Sequence, residues 1–134
     1  MEINDLTKIV IGCAMDVHKS LGNGYLESVY EGALAIELQA RGIEFQRQVS
    51  IPVFYKGNNV GDFVADLLVD KRLIIELKAT ANLHERHEVQ LVNYLTTTQI
   101  DNGLLINFGT ASLQFKRKHR VYTPQKTSYK NQPF

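Results

Sequence analysis

Asp66-Leu67-Leu68-Val69-Asp70-Lys71-Arg72-Leu73-Ile74-Ile75-Glu76-Leu77-Lys78 is the stretch on which the reading of this chain turns. Two apolar runs flank a polar turn, yet the first begins on an acid and the second ends on an acid and a lysine. Burying an unpaired charge is costly, so apolar strands ordinarily exclude such residues. Positions i and i+2 of a strand project from one face, which puts Glu76 and Lys78 together. The loop length decides whether Asp66 joins them. A two-residue loop, Asp70-Lys71, pairs Leu68 with Leu73 and sets Asp66 opposite Ile75, leaving Glu76 on the other face. A three-residue loop, Asp70 to Arg72, pairs Asp66 with Glu76 and gathers both acids and the lysine on one face. Leu73, Ile75 and Leu77 then form the core face.

Two carboxylates and an ammonium in one small space are the minimum for holding a divalent metal beside an activated water, which is phosphodiester-cutting chemistry. Mg2+ favours oxygen ligands and takes one or two protein carboxylates, with water or substrate phosphate completing its shell. A lysine among other charges in a cleft is suited to orient or deprotonate the water. The competing reading is a structural salt bridge from Asp66 or Glu76 to Lys78, which contributes little to stability. Spacing alone leaves both readings open.

Outward from this stretch the periodicity changes twice. Leu6, Ile9, Val10, Cys13, Val17 and Leu21 recur at helical spacing and predict a helix from Asp5 to Leu21, capped by Asn4 or Asp5. Gly22-Asn23-Gly24 breaks it, since Gly and Asn most readily take positive φ. A second helix is expected from Leu26 to Arg41, with Val29, Tyr30, Ala33, Leu34 and Leu38 inward. Alternation from Phe45 to Tyr55 reads as a strand whose Pro52 belongs at an edge or a bulge. Lys56 to Asn59 is a turn, and strands follow at Val60–Val69 and Leu73–Ala79. Leu83 to Thr98 reads as a helix carrying Val89, Leu91, Val92 and Leu95. Strands at Gly103–Phe108 and Leu113–Arg120 complete the order α-α-β-β-β-α-β-β, a mixed sheet flanked by helices, hence α/β or α+β.

At 134 residues, 44% hydrophobic and 22% charged, the composition is that of one globular domain, expected over 1–123, with a polar tail over 124–134. No apolar run is long enough for a membrane span, and Glu2 and Asp5 stand where a secretory signal carries bases. The single Cys13 fits a reducing cytosol, so a cytoplasmic location is expected. Within its helical pattern Cys13 reads as a small buried hydrophobe. A net charge of +1 gives no strong pull toward nucleic acid. Lys116, Arg117, Lys118, His119 and Arg120 nevertheless cluster, either to hold phosphates or as a solvated strand end.

Two further patterns carry polar groups on helices. Gly24-x-x-Glu27-x-x-Tyr30 opens the second helix, placing Glu27 and Tyr30 one turn apart and the acid where the helix dipole favours it. Gln90 and Tyr94 lie at i and i+4, with His87 one turn earlier, a stripe suited to hydrogen bonding a nucleic-acid backbone. His84-Glu85-Arg86-His87-Glu88 lacks a second His four residues after the first, so no zinc-protease helix is read, and no Walker-type or dinucleotide glycine pattern is present.

Taken together, Gly24, Glu27 and Tyr30, Ala65-Asp66, Glu76-x-Lys78, Gln90 with Tyr94, and Leu104-Leu105-Ile106-Asn107-Phe108-Gly109 resemble the Gly-x-x-Glu-x-x-Tyr family of small bacterial proteins within the PD-(D/E)XK nuclease-like superfamily. The resemblance spans Leu6 to Phe115. It implies a restriction-endonuclease-like core and a metal-dependent nuclease, acting on DNA rather than RNA. Asp66 and Glu76 would hold Mg2+ or Mn2+, with Glu27 as a further ligand. Lys78 would handle the water, and Gln90, Tyr94, Tyr30 and His87 would contact substrate. Ala65 stands where the superfamily often has proline. The small size leaves room for a homodimer or a partner subunit. The alternative is a non-catalytic nucleic-acid- or protein-binding module that keeps the fold.

Overall fold

The computed structural model describes residues 1–122, so the tail expected over 124–134 lies outside the described residues. The elements run α1 (Ile3–Leu21), α2 (Glu27–Ala40), β1 (Phe45–Tyr55), β2 (Asn58–Val69), β3 (Leu73–Lys78), α3 (Glu85–Thr98), β4 (Asn102–Asn107) and β5 (Gln114–His119). The order matches that read from the periodicity, with ends moved by one to two residues. The five strands form one sheet in the order β1-β2-β3-β4-β5, antiparallel except for the parallel β3–β4 pair that α3 connects. A parallel neighbour requires a crossover, and α3 supplies it. Pro52 lies on β1, an edge strand, where its missing N–H costs no ladder bond.

Alternation along the strands gives the sheet two apolar faces. Leu67, Val69, Leu73, Ile75, Leu77, Leu104 and Ile106 meet α1 and α2 on one side. Ile51, Ala65, Ile74 and Leu105 meet Leu91, Tyr94 and Leu95 of α3 on the other. Cys13 is wholly buried in the first cluster, and burial raises its thiol pKa. Val29, expected inward, is instead exposed at 40%, and Val89, one of the apolar residues that mark α3, is exposed at 54%. At 3.6 residues per turn Val89 points nearly opposite Leu91, and Val29 opposite Leu38. Their places on the inward stripes go to Glu31 and Tyr94, which are buried. Polar residues therefore stand where hydrophobic periodicity expects carbon.

The β2–β3 turn sets the register. Val69 pairs with Leu73, Leu68 with Ile74 and Leu67 with Ile75, so the loop is Asp70-Lys71-Arg72. Asp70 and Lys71 take φ of 51° and 58°, and the Arg72 N–H closes the turn on the Val69 carbonyl at 3.0 Å. Arg72 is the extra residue, tied back to the Asp70 carboxylate at 2.7 Å. The odd count brings Asp66 beside Glu76 where the Leu67–Ile75 pairing ends, and the Asp66 N–H meets the Glu76 carboxylate there at 3.1 Å.

Candidate active site

Beyond Leu67–Ile75 the backbone ladder between β2 and β3 stops, and the two acids take its place. The Asp66 N–H donates to Glu76 Oε1 at 3.1 Å, and the Leu77 N–H donates to Asp66 Oδ2 at 2.7 Å. Each carboxylate thus satisfies a backbone donor left over where the strands part, which is what allows acids into this apolar region. The β1–β2 ladder is interrupted at the same level. Arg47 pairs with Leu67 and Val49 with Ala65, while Gln48 and Asp66 between them do not pair.

The parting strands open a cleft of about 470 Å³ lined by Glu27, Ser28, Glu31, Gln48, Asp66 and Leu77. Glu27 reaches it from the first residue of α2, close to the Ala79 backbone just past the end of β3. Gly24 takes φ of 114° in the reversal between α1 and α2, a conformation that favours glycine. Tyr30 holds that reversal. Its hydroxyl donates to the Gly22 carbonyl at 2.6 Å and accepts from the Tyr25 N–H at 3.2 Å, while its ring stacks on Phe108 at 4.4 Å. Wholly buried, with its hydroxyl bonded on both sides, Tyr30 ties down the reversal that leads into Glu27 and is not exposed on the cleft surface.

The end of β3 is fixed from β4. Asn107 Oδ1 accepts from the Thr80 N–H, and its Nδ2 donates to the Thr80 carbonyl, both at 3.0 Å. The Phe108 N–H donates to the Lys78 carbonyl at 2.8 Å. At Gly109 a Cβ would meet Thr80 backbone atoms at 2.3 Å, so only glycine fits. The Leu104–Gly109 motif is therefore a cradle for Lys78 to Thr80 rather than a reactive element.

Charge is crowded here. Burial, then the Asp66 carboxylate, push Glu76 up to about 8, and only 5% of the residue is exposed. Burial likewise raises Asp66 and Glu27 above the ordinary carboxylate range. Lys78 stands among them, and its field acts on all three acids, yet no carboxylate among the described residues lies within ion-pairing distance of its Nζ. The structural salt bridge weighed from the sequence does not form. Among the described residues no three His, Cys, Asp or Glu side chains make a ready-made metal cage. The donor set still suits a hard cation that keeps water or phosphate in its shell: two neighbouring carboxylates, destabilised as anions by burial and by each other.

Tyr94 packs beneath this group, 6% exposed, its ring 5.5 Å from Phe63. Burial, then the Glu76 and Asp66 charges, push its phenol up to about 12. Its hydroxyl has no hydrogen-bond partner among the described residues, and neither has the half-buried Gln90 amide one turn before it. His87 caps α3, its Nδ1 accepting from the His84 N–H at 3.2 Å while His84 Nδ1 accepts from the Arg86 N–H. Partial burial, then Lys78, lower the His87 pKa. The residues missed in the sequence are Glu31 and Gln48, joined to each other and, through Gln48, to Asp66. Glu31 was legible as an acid one turn after Glu27; Gln48, an ordinary strand polar residue, gave no signal. The basic cluster is largely spent: Lys116 and Lys118 share Glu88 at 3.2 and 3.1 Å, and Arg120 pairs with Asp101 at 3.0 Å.

Comparison with known proteins adds the following. The model of a family described as the PD-(D/E)XK nuclease superfamily matches residues 4–118. Among solved structures, that titled "Crystal structure of SSO0001" superposes with a TM-score of 0.58 at 15% identity, over 77% of this chain and 54% of that one. The chain thus spans about half the length of that protein, and the likeness is one of fold. No curated protein matches the sequence.

Proposed function

The chain belongs to the PD-(D/E)XK nuclease superfamily, and from that premise we propose that it is a metal-dependent nuclease hydrolysing phosphodiester bonds, with DNA as substrate. The observation that carries this reading is the convergence of Asp66, Glu76 and an ammonium that pairs with neither, at the point where two strands part. The Gly24-x-x-Glu27-x-x-Tyr30 pattern supports a place in the Gly-x-x-Glu-x-x-Tyr group, and residues 1–123 are taken as one catalytic domain.

In this reading Asp66 and Glu76 hold Mg2+ or Mn2+, and Glu27 contributes directly or through water. The metal, when bound, polarises the phosphoryl oxygens and lowers the pKa of a water. Lys78, held by the Asn107 cradle and lacking an ion pair, would orient that water as an ammonium, or take its proton as the neutral amine after releasing one of its own to solvent. With a cation held there Glu76 would be an anion, its proton released to solvent, because a nearby positive charge favours the carboxylate. Tyr94, beside the acids, and Gln90, one turn before it on α3, offer unused polar atoms and position the substrate backbone. A binding module working through Lys116 to Arg120 is less well supported, since Glu88 and Asp101 already pair with Lys116, Lys118 and Arg120. No helix among the described residues is long and apolar enough to cross a membrane.

The test is calorimetric titration with Mn2+ and Mg2+, wild type against Glu76→Ala, followed by incubation with single- and double-stranded DNA and RNA. Binding and cleavage that both vanish in the variant are expected. Cleavage that survives Glu76→Ala, or none at saturating metal on any substrate, refutes the assignment.

A further inference from the structure

Gln48 is the residue for which neither strand chemistry nor the reaction so far accounts. It lies in the middle of β1 with φ of 52°, left-handed backbone that a non-glycine residue rarely adopts. Such conformations persist where the surroundings over-determine them, and they concentrate at functional sites. Here it coincides with the missing Gln48–Asp66 rung of the β1–β2 ladder. It also coincides with a switch of faces. Phe45 packs against the α1–α2 cluster, whereas Ile51, six residues on, packs under α3.

The unusual backbone sends the Gln48 amide toward two carboxylates. Its Nε2 donates to Glu31 Oε1 through a short hydrogen bond and stands 3.5 Å from Asp66 Oδ1. An amide nitrogen carries two hydrogens, one for each acid. Glu31 is itself committed on its other oxygen, where Arg47 Nε and an Arg47 terminal nitrogen bind Oε2 at 3.0 and 2.9 Å. Glu31 is buried and occupied on both oxygens, so it is an anchor rather than a ligand. Asp66 Oδ2 is occupied by the Leu77 N–H, and Oδ1 faces Gln48. The orientation of the Asp66 carboxylate is thus set from both sides, by β3 and by β1.

We propose that Gln48 is a positioning residue: anchored on the Arg47–Glu31 pair, its amide orients Asp66 for the cation. The inference rests on the metal-dependent reading above. It gives the left-handed backbone a purpose, because a regular strand would pair Gln48 in the ladder and turn its side chain elsewhere. It also explains why α2 presents a second acid at Glu31, one turn beyond Glu27. Partners of this kind outside the metal shell typically change metal affinity 10- to 100-fold when removed.

The experiment is Gln48→Gly in the full chain, with Gln46→Ala, exposed on the same strand, as control. Glycine suits φ of 52° but takes away the whole side chain and with it the donor to the buried Glu31 Oε1, so a modestly lowered thermal midpoint is expected beside the change in metal affinity. Mn2+ affinity should fall about 10- to 100-fold, and cleavage should recover at saturating Mn2+, which a substrate-contacting residue would not allow. Two outcomes overturn the role: unchanged Mn2+ affinity, or cleavage that stays low at saturating metal. If wild type neither binds Mn2+ nor cleaves, the metal-dependent reading itself falls. If wild type binds and Gln48→Gly binds equally, only the role of Gln48 falls.

Discussion

Replacing Glu76 by glutamine isolates the electrostatic strain stored at this site. The wild-type carboxyl holds its proton up to about pH 8, for which burial is the first cause and the Asp66 carboxylate the second. In the unfolded chain the same group ionises near 4.5. Between those values the folded state binds a proton that the unfolded state has released. Stability from this group is therefore complete below pH 4.5, declines as pH rises, and is fully lost above about 8. At 1.36 kcal/mol per pH unit the loss has a ceiling of about 5 kcal/mol. The Glu76→Gln side chain keeps an oxygen for the Asp66 N–H, which sits 3.1 Å from Oε1, and it cannot ionise. The variant should match wild type near pH 4.5 and exceed it by about 2 to 5 kcal/mol at pH 8.5. The assay is urea unfolding in EDTA across that range. Mn2+ should narrow the gap, adding about 2.7 kcal/mol to wild type at a hundred times Kd and nothing comparable to the variant. A difference independent of pH, or a variant weaker at pH 8.5, would mean that Glu76 belongs to a satisfied structural network.

The remaining predictions separate chemistry from scaffold. Lys78→Ala should lower cleavage by about 10²- to 10⁴-fold while keeping Mn2+ binding and the thermal midpoint, since Nζ makes no ion pair to lose; calorimetry beside a cleavage assay checks both. Tyr30→Phe should cost about 1 to 3 kcal/mol by orphaning the Gly22 carbonyl and the Tyr25 N–H, with Mn2+ affinity within twofold of wild type. A large loss of substrate affinity without loss of stability would restore Tyr30 to the substrate surface. Gly109→Ala should destabilise by about 1 to 3 kcal/mol or more, because its methyl would collide with the Thr80 backbone, and denaturant titration reads it directly. A neutral result there would show that Lys78 to Thr80 is not held by the cradle.

How much of this was legible beforehand depends on the range of the interaction. Period and punctuation are local, so the sequence determined the order of eight elements, the restriction of Pro52 to an edge or a bulge and the core face of Leu73, Ile75 and Leu77. It also determined that Asp66 and Glu76 meet only if the turn is odd, a condition that the Val69–Leu73 pairing meets. The choice itself was not local. It required Asp70 and Lys71 to hold positive φ, with the Asp70 N–H donating to the Glu44 carbonyl across the β1 approach. Tertiary structure likewise decided which face of each helix went inside, because packing against a sheet selects a stripe that apolar counting cannot, and so Val29 and Val89 turned out. It turned the Tyr30 of a site-like motif into a staple and the Asn107-Phe108-Gly109 run into a cradle. Glu31, Arg47 and Gln48 joined the site only when the strands parted, because hydrogen bonds across elements depend on the register and twist that bring their atoms within reach, and no residue spacing records that distance.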